Sequence, residues 1–176
     1  MLGESVSLFR EYFDAFDSAD KELFHVNAEI SKKLDQVNWL VVNAQALHQE
    51  FFTNFRKDPV PRLDLIGPLE IYTESFYHFS FRVRDLLRKY HPRFSSFEAR
   101  GVRDVRNHLI IHPEGKKDSA KLFSTFGFTV EPDVGPKIKG YIGPKEAAED
   151  KGLFSNALEF NDNLSKLLRS VIAGGP

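Results

Sequence analysis

Leu69, Tyr72, Phe76, Phe79, Val83, Leu86 and Tyr90 recur at 3-4-3-4-3-4 spacing. A strand alternates its sides every second residue and cannot gather that set on one face. A helix at 3.6 residues per turn lines it up as a single stripe. The pattern predicts a long amphipathic helix from about Pro68, whose missing N–H suits a first helical turn, to His91-Pro92, where proline stops the run. A second stripe, Ile30, Leu34, Val37, Val41, Ala44, Leu47 or His48, Phe51 and Phe55, keeps nearly the same alternation. Two long stripes of this kind need each other's apolar faces, so the chain is expected to be a helical bundle.

Further segments extend the bundle. Val6, Phe9, Phe13 and Phe16 predict a short helix over roughly 4–16. Asp17-Ser18 can cap the second helix, with Asp20 and Glu22 in its first turn. Leu153, Ala157, Phe160, Leu164, Leu167 and Val171 mark a last helix, in a segment opened by Gly143-Pro144. Between these lies a stretch of another character. Phe126, Phe128 and Val130 alternate, Glu131-Pro-Asp-Val-Gly-Pro136 is turn chemistry, and Lys137 to Ile142 alternates again, predicting a β-hairpin. An isolated hairpin is marginal in water, so it should lie on the bundle or on a partner. The expected fold is mainly α: an antiparallel bundle of four to five helices, one domain over 1–176, with a small hairpin inserted at about 120–142 before the last helix.

The 176 residues are enough for one core, and several of the 17 phenylalanines must fill helix–helix contacts. The chain has no cysteine, which excludes disulfides, thiolate metal sites and thiol nucleophiles. No signal-peptide pattern opens the chain, and no apolar run approaches the ~20 residues of a membrane span, so a cytoplasmic protein with no membrane partner is expected. His48, on or beside an apolar stripe, is expected to be a core-edge histidine with a hydrogen bond, and Trp39 to be a packing residue.

Chemistry concentrates in Arg103-Asp-Val-Arg-Asn-His-Leu-Ile-Ile-His-Pro-Glu114. Val102, Val105 and Leu109 share a helical stripe, while Arg103, Arg106 and Asn107 fall on another side. The motif helix is expected over about Ser96 to Ile110, because Pro113 removes a donor and pushes His112 out of the α region. On one continuous helix Arg106 and His112 would point about 120° apart; a break near Ile110 frees His112 to turn back. Arg82 to Lys117 holds ten Lys/Arg and four Asp/Glu, a balance of +6, so with a net charge of −1 the remainder carries −7. Such a patch can neutralise several phosphates. Set against this, Arg106 and Asn107 are also suited simply to capping carbonyls at a helix C-terminus. His108, His112 and Glu114 form at most a thin zinc set, and no metal or cofactor is expected.

The order Arg106-Asn107-(four residues)-His112 resembles the Arg, polar residue, His signature of HEPN domains, small helical bundles found as ribonucleases in toxin–antitoxin, abortive-infection and CRISPR systems. Arg103 and His108 make a second Arg-x4-His match. The resemblance extends loosely over about residues 20–172. It implies a metal-independent endoribonuclease with Arg106, Asn107 and His112 as catalytic residues and Arg103, His108 and Lys116 as substrate contacts. RNA would be the substrate, a homodimer would line one cleft with two Arg/His sets, and a cognate antitoxin protein would be a further partner. The same resemblance also fits a catalytically inactive dimeric module that binds nucleotide, RNA or protein.

Overall fold

The computed structural model describes residues 2–14, 20–57, 62–106, 125–142, 145–149 and 151–174, with side chains of the long helix to 53 and of the sheet over 127–139. The elements are α1 (Gly3–Asp14), α2 (Lys21–Lys57), α3 (Leu63–Tyr90), a 3-10 turn (Pro92–Phe94), α4 (Arg100–Val105), β1 (Thr125–Glu131), β2 (Gly135–Ile142), β3 (Lys145–Glu149) and α5 (Leu153–Ala173). The protein is therefore mainly helical, with five described helices and a small antiparallel sheet before the last. No described helix is long and apolar enough to cross a membrane.

Cross-contacts give the direction of the helices. Glu29 pairs with Arg82, Lys33 sits over Phe79, Trp39 lies edge-on to Tyr72, and Glu50 pairs with Arg62. As α2 advances, its α3 partners recede, so the two are antiparallel along nearly their whole length. α1 runs back along α2 in the same way, from the Leu2 N–H bond to Asn38 through Arg10–Asp35 to Phe13 against Phe24. α5 closes the bundle against α1: Asn161 Oδ1 accepts from the buried Ser5 N–H, and Arg169 pairs with Glu4.

Both predicted stripes face the core. Ile30, Leu34, Val37, Val41 and Ala44 of α2 are buried with Leu69, Phe76, Val83 and Leu86 of α3. His48 is the expected core-edge histidine: its Nε2 bonds the Glu131 carbonyl at 2.8 Å, and its ring meets Phe154 edge-on. Trp39 packs on Tyr72 yet is 55% exposed.

Three local expectations shift. α3 starts at Leu63, so Pro68 lies inside it. The proline leaves the Asp64 carbonyl without its helical donor near the exposed start of the helix, where water can supply one. The cap of α2 is Asp20, whose Oδ1 accepts from Leu23 N–H at 3.0 Å; Asp17 and Ser18 lie outside the described residues. The predicted hairpin forms, with Phe128 opposite Ile138, but a third strand extends it to the order β1-β2-β3. β3 carries Lys145-Glu-Ala-Ala-Glu149, a sequence with little strand propensity, and pairing with β2 overrides that preference. Charged residues on an edge strand also discourage further pairing. The last helix consequently begins at Leu153, after Gly152 at φ 92°, and not near Gly143-Pro144.

The turn between β1 and β2 docks on the start of α5. Phe154 N–H bonds the Val134 carbonyl at 3.3 Å, and a Cβ on Gly135 (φ 81°) would lie 2.6 Å from the Phe154 ring. Only glycine allows both the positive φ and this approach.

Where α3 ends, His91 is buried among three elements. Asn27 Oδ1 of α2 can only accept, so His91 Nε2 donates to it at 2.7 Å. That leaves Nδ1 of the neutral ring to accept from Tyr12 O–H of α1 at 2.9 Å. Burial depresses the His91 pKa below its ordinary 6.5 and, outweighing the charge of Arg93, pushes the Tyr12 hydroxyl up to about 12. Folded His91 therefore resists protonation that the unfolded chain accepts. Because the unfolded chain binds more protons as pH falls through about 6.5, stability drops there and levels off below the folded pKa. The thermal midpoint should fall as pH is lowered from about 7.5 to 5.5, and His91→Gln should flatten that slope. Tyr12→Phe, which strands a buried acceptor, should cost about 1–3 kcal/mol by denaturant unfolding. A slope unchanged in His91→Gln would contradict this account.

Candidate functional site

The segment after α3 decides where α4 lies. Phe94 and Phe97 are buried, Phe97 edge-on to Phe160 of α5, and Ala99 is buried beside them. These anchors hold 97–99 out of helical form, so α4 starts at Arg100, four residues after the Ser96 expected from the sequence. Its expected C-terminal limit, Ile110, lies outside the described residues. Within α4, Val102 and Val105 point inward as predicted.

Gly101 sets how closely α4 approaches α5. A Cβ there would stand 2.3 Å from Asn156 Oδ1, closer than real atoms come. Asn156 is itself held by its Nδ2, which donates to the Tyr77 hydroxyl of α3 at 2.9 Å in a buried setting. One amide thus fixes the spacing of α3, α4 and α5.

Glu98, between buried Phe97 and Ala99, turns outward and meets three arginines. Arg88 approaches at 2.6 Å, Arg103 at 3.4 Å and Arg84 at 3.7 Å. Desolvation acts to raise the Glu98 pKa. The Arg88 hydrogen bond and the charges of Arg84, Arg88 and Arg103 outweigh it and hold the carboxyl below its usual range. Arg84, with a side chain only 11% exposed, also bonds Asp85 at 3.0 Å, and Arg103 bonds Asp104 at 2.9 Å. Arg84 is the buried member; the other partners are a third to a half exposed, so the solvent-screened pairs contribute modestly and losing the partners of Arg84 would cost most.

Arg106 caps α4, its backbone N–H shared between the Val102 and Arg103 carbonyls. Its guanidinium carbon lies 4.1 Å from the centre of the Phe81 ring, and that of Arg84 lies 5.6 Å from the same centre. A planar cation stacked on a ring keeps its donor fork oriented.

Of the residues singled out from the sequence, Arg103 and Arg106 are thus placed on α4, beside α3. Arg103 is engaged by carboxylates and Arg106 stands on an aromatic face. Asn107, His108, His112 and Lys116 lie outside the described residues, as does Glu114 of the thin zinc set. Among the described residues no three His, Asp or Glu side chains gather as metal ligands. Arg84 belongs to the basic stretch read from the sequence, whereas Glu98 and Phe81 carry no signal there that marks them for the site. The i, i+4 spacing of Arg84 and Arg88 marks one helix face, but nothing local in the sequence assigns Glu98 to it.

No family model, curated protein or solved structure matches the chain. The likeness to HEPN domains therefore rests on the motif residues alone.

Gly101→Ala should push α4 off α5 and destabilise the protein by about 1–3 kcal/mol, the usual cost of overpacking. Gly3→Ala, with nothing near its Cβ, serves as the control. Equal unfolding midpoints for the two variants would show that α4 tolerates displacement.

Proposed function

We propose that the chain is a metal-independent endoribonuclease of the HEPN type, acting on RNA as a cytoplasmic homodimer in a toxin or phage-defence setting, with an antitoxin protein as a further partner. The observation that carries this proposal is Arg106: a guanidinium stacked on Phe81 at the end of α4, opening the Arg-Asn-x4-His order. A helical bundle is the architecture that the resemblance requires, and the antiparallel helices support it to that extent.

In the proposed reaction the RNA 2′-oxygen attacks the adjacent phosphorus as its proton is taken by a base. The 5′-oxygen then leaves with a proton from an acid. The products are a 2′,3′-cyclic phosphate and a 5′-hydroxyl, and neither water nor metal is consumed. His112 supplies acid/base chemistry near neutral pH. Arg106 offers its fork to the phosphate oxygens and stabilises the charge that builds on them. Asn107 orients the two, and Arg103, His108 and Lys116 contact flanking phosphates. Two protomers together provide the pair of acid/base groups that one motif lacks.

A second reading has its own support. Arg84, Arg88 and Arg103 are largely satisfied by Glu98, Asp85 and Asp104, so the basic stretch offers less free charge than its composition suggests. That arrangement suits a dimeric binding module whose arginines are structural.

Cleavage of a structured RNA in EDTA separates the two. His112→Ala should lose about 10²–10⁴-fold in rate. Arg106→Lys should also be damaging, since a point charge cannot replace the fork, and His108→Ala should cost less than His112→Ala. Each variant's fold is checked by circular dichroism. A dead His108→Ala beside an active His112→Ala would transfer the roles to Arg103 and His108. Failure of the wild type to cut any RNA would favour the binding module.

A further inference from the structure

A cleft of about 500 Å³ separates the 96–100 segment from α5. Its walls carry two carboxylates, Glu98 and Glu159, and two cations, Arg100 and Lys166. The four are not equivalent. Glu98 is already met by Arg84, Arg88 and Arg103, none of which lines the cleft. Glu159 is met by Lys151 at 3.3 Å. Arg100 and Lys166 form no ion pair among the described residues. The carboxylates are thus paired with cations that do not line the cleft, while its two lining cations have no ion-pair partner among the described residues.

From this partition we infer that the cleft is a binding site for a phosphate monoester of nucleotide size, its phosphate held between Arg100 and Lys166. A phosphate monoester carries close to two negative charges near neutral pH and three strong acceptor oxygens, which matches two unspent cations. Arg100 supplies a planar fork and Lys166 a mobile point charge. The apolar part of the lining comes from Phe97 and Leu167, and Ser96, Asn163 and Ser170 provide hydroxyl and amide groups for the organic remainder. The volume lies within the range of small-molecule sites.

This site is distinct from the proposed ribonuclease centre. Arg100 opens α4 and Arg106 caps it, six residues on; Arg100 lines the cleft against α5, whereas Arg106 lies over Phe81 of α3. The monoester has two sources, a free nucleoside monophosphate or the 5′-phosphate of an RNA end.

Isothermal titration calorimetry of the full chain tests the site, using adenosine 5′-monophosphate and a short oligoribonucleotide with either a 5′-phosphate or a 5′-hydroxyl. Saturable 1:1 binding is expected for the monophosphate or for the 5′-phosphorylated strand, and whichever binds names the source. Arg100→Gln and Lys166→Gln should each weaken it by about tenfold or more, the effect of losing one charged hydrogen bond. Glu159→Gln should tighten it about two- to fivefold, because a carboxylate leaves the wall; damage to the fold would not produce a gain. No saturable binding of either phosphorylated probe, equal binding of the 5′-hydroxyl strand, or affinity unchanged in both cation variants would overturn the inference. Binding without RNA cleavage would leave it standing while removing the ribonuclease proposal.

Discussion

A neutral imidazole buried between three helices fixes the geometry that follows it. His91 ends α3, and its two ring nitrogens reach Tyr12 of α1 and Asn27 of α2. A buried polar group must find partners or pay its desolvation, so the chain cannot slide at this point. Phe94 and Phe97 then enter the core, and α4 starts where they release it. The position of Arg106 depends on this sequence of anchors more than on any property of the motif.

Electrostatics then divides the basic stretch by use. Glu98 gathers three arginines and binds the end of α3 to α4, a structural role that consumes much of the local positive charge. Arg106, on Phe81, and Arg100, at the α5 cleft, are directed elsewhere. Charge counted along the sequence therefore overstates what a polyanion would meet, and the two arginines at the ends of α4 are where ligand chemistry is proposed.

The long helices were legible because periodicity is a local signal. The α2 and α3 stripes needed only the 3-4 spacing, and the stop at His91-Pro92 needed only proline. What escaped depends on distant partners. Lys145-Glu-Ala-Ala-Glu149 becomes a strand through its pairing with β2, against its own propensity. Ser96 to Ala99 stay out of helix because Phe97 meets Phe160, more than sixty residues along the chain. Pro68 marks no boundary, since a helix tolerates one missing bond near an exposed end. Of the candidate site, the arginines and their helix were readable, whereas the role of Glu98 came only from three side chains converging in space.

The central functional claim is that this bundle cleaves RNA by its own acid/base groups and Arg106, through the RNA's own 2′-hydroxyl. Mass spectrometry of the ends left on a defined RNA, after incubation with pure protein in excess chelator, tests it most directly. The account predicts 2′,3′-cyclic phosphate ends paired with 5′-hydroxyl ends. Products bearing 3′-hydroxyl and 5′-phosphate ends, formed only when a divalent cation is restored, would contradict it.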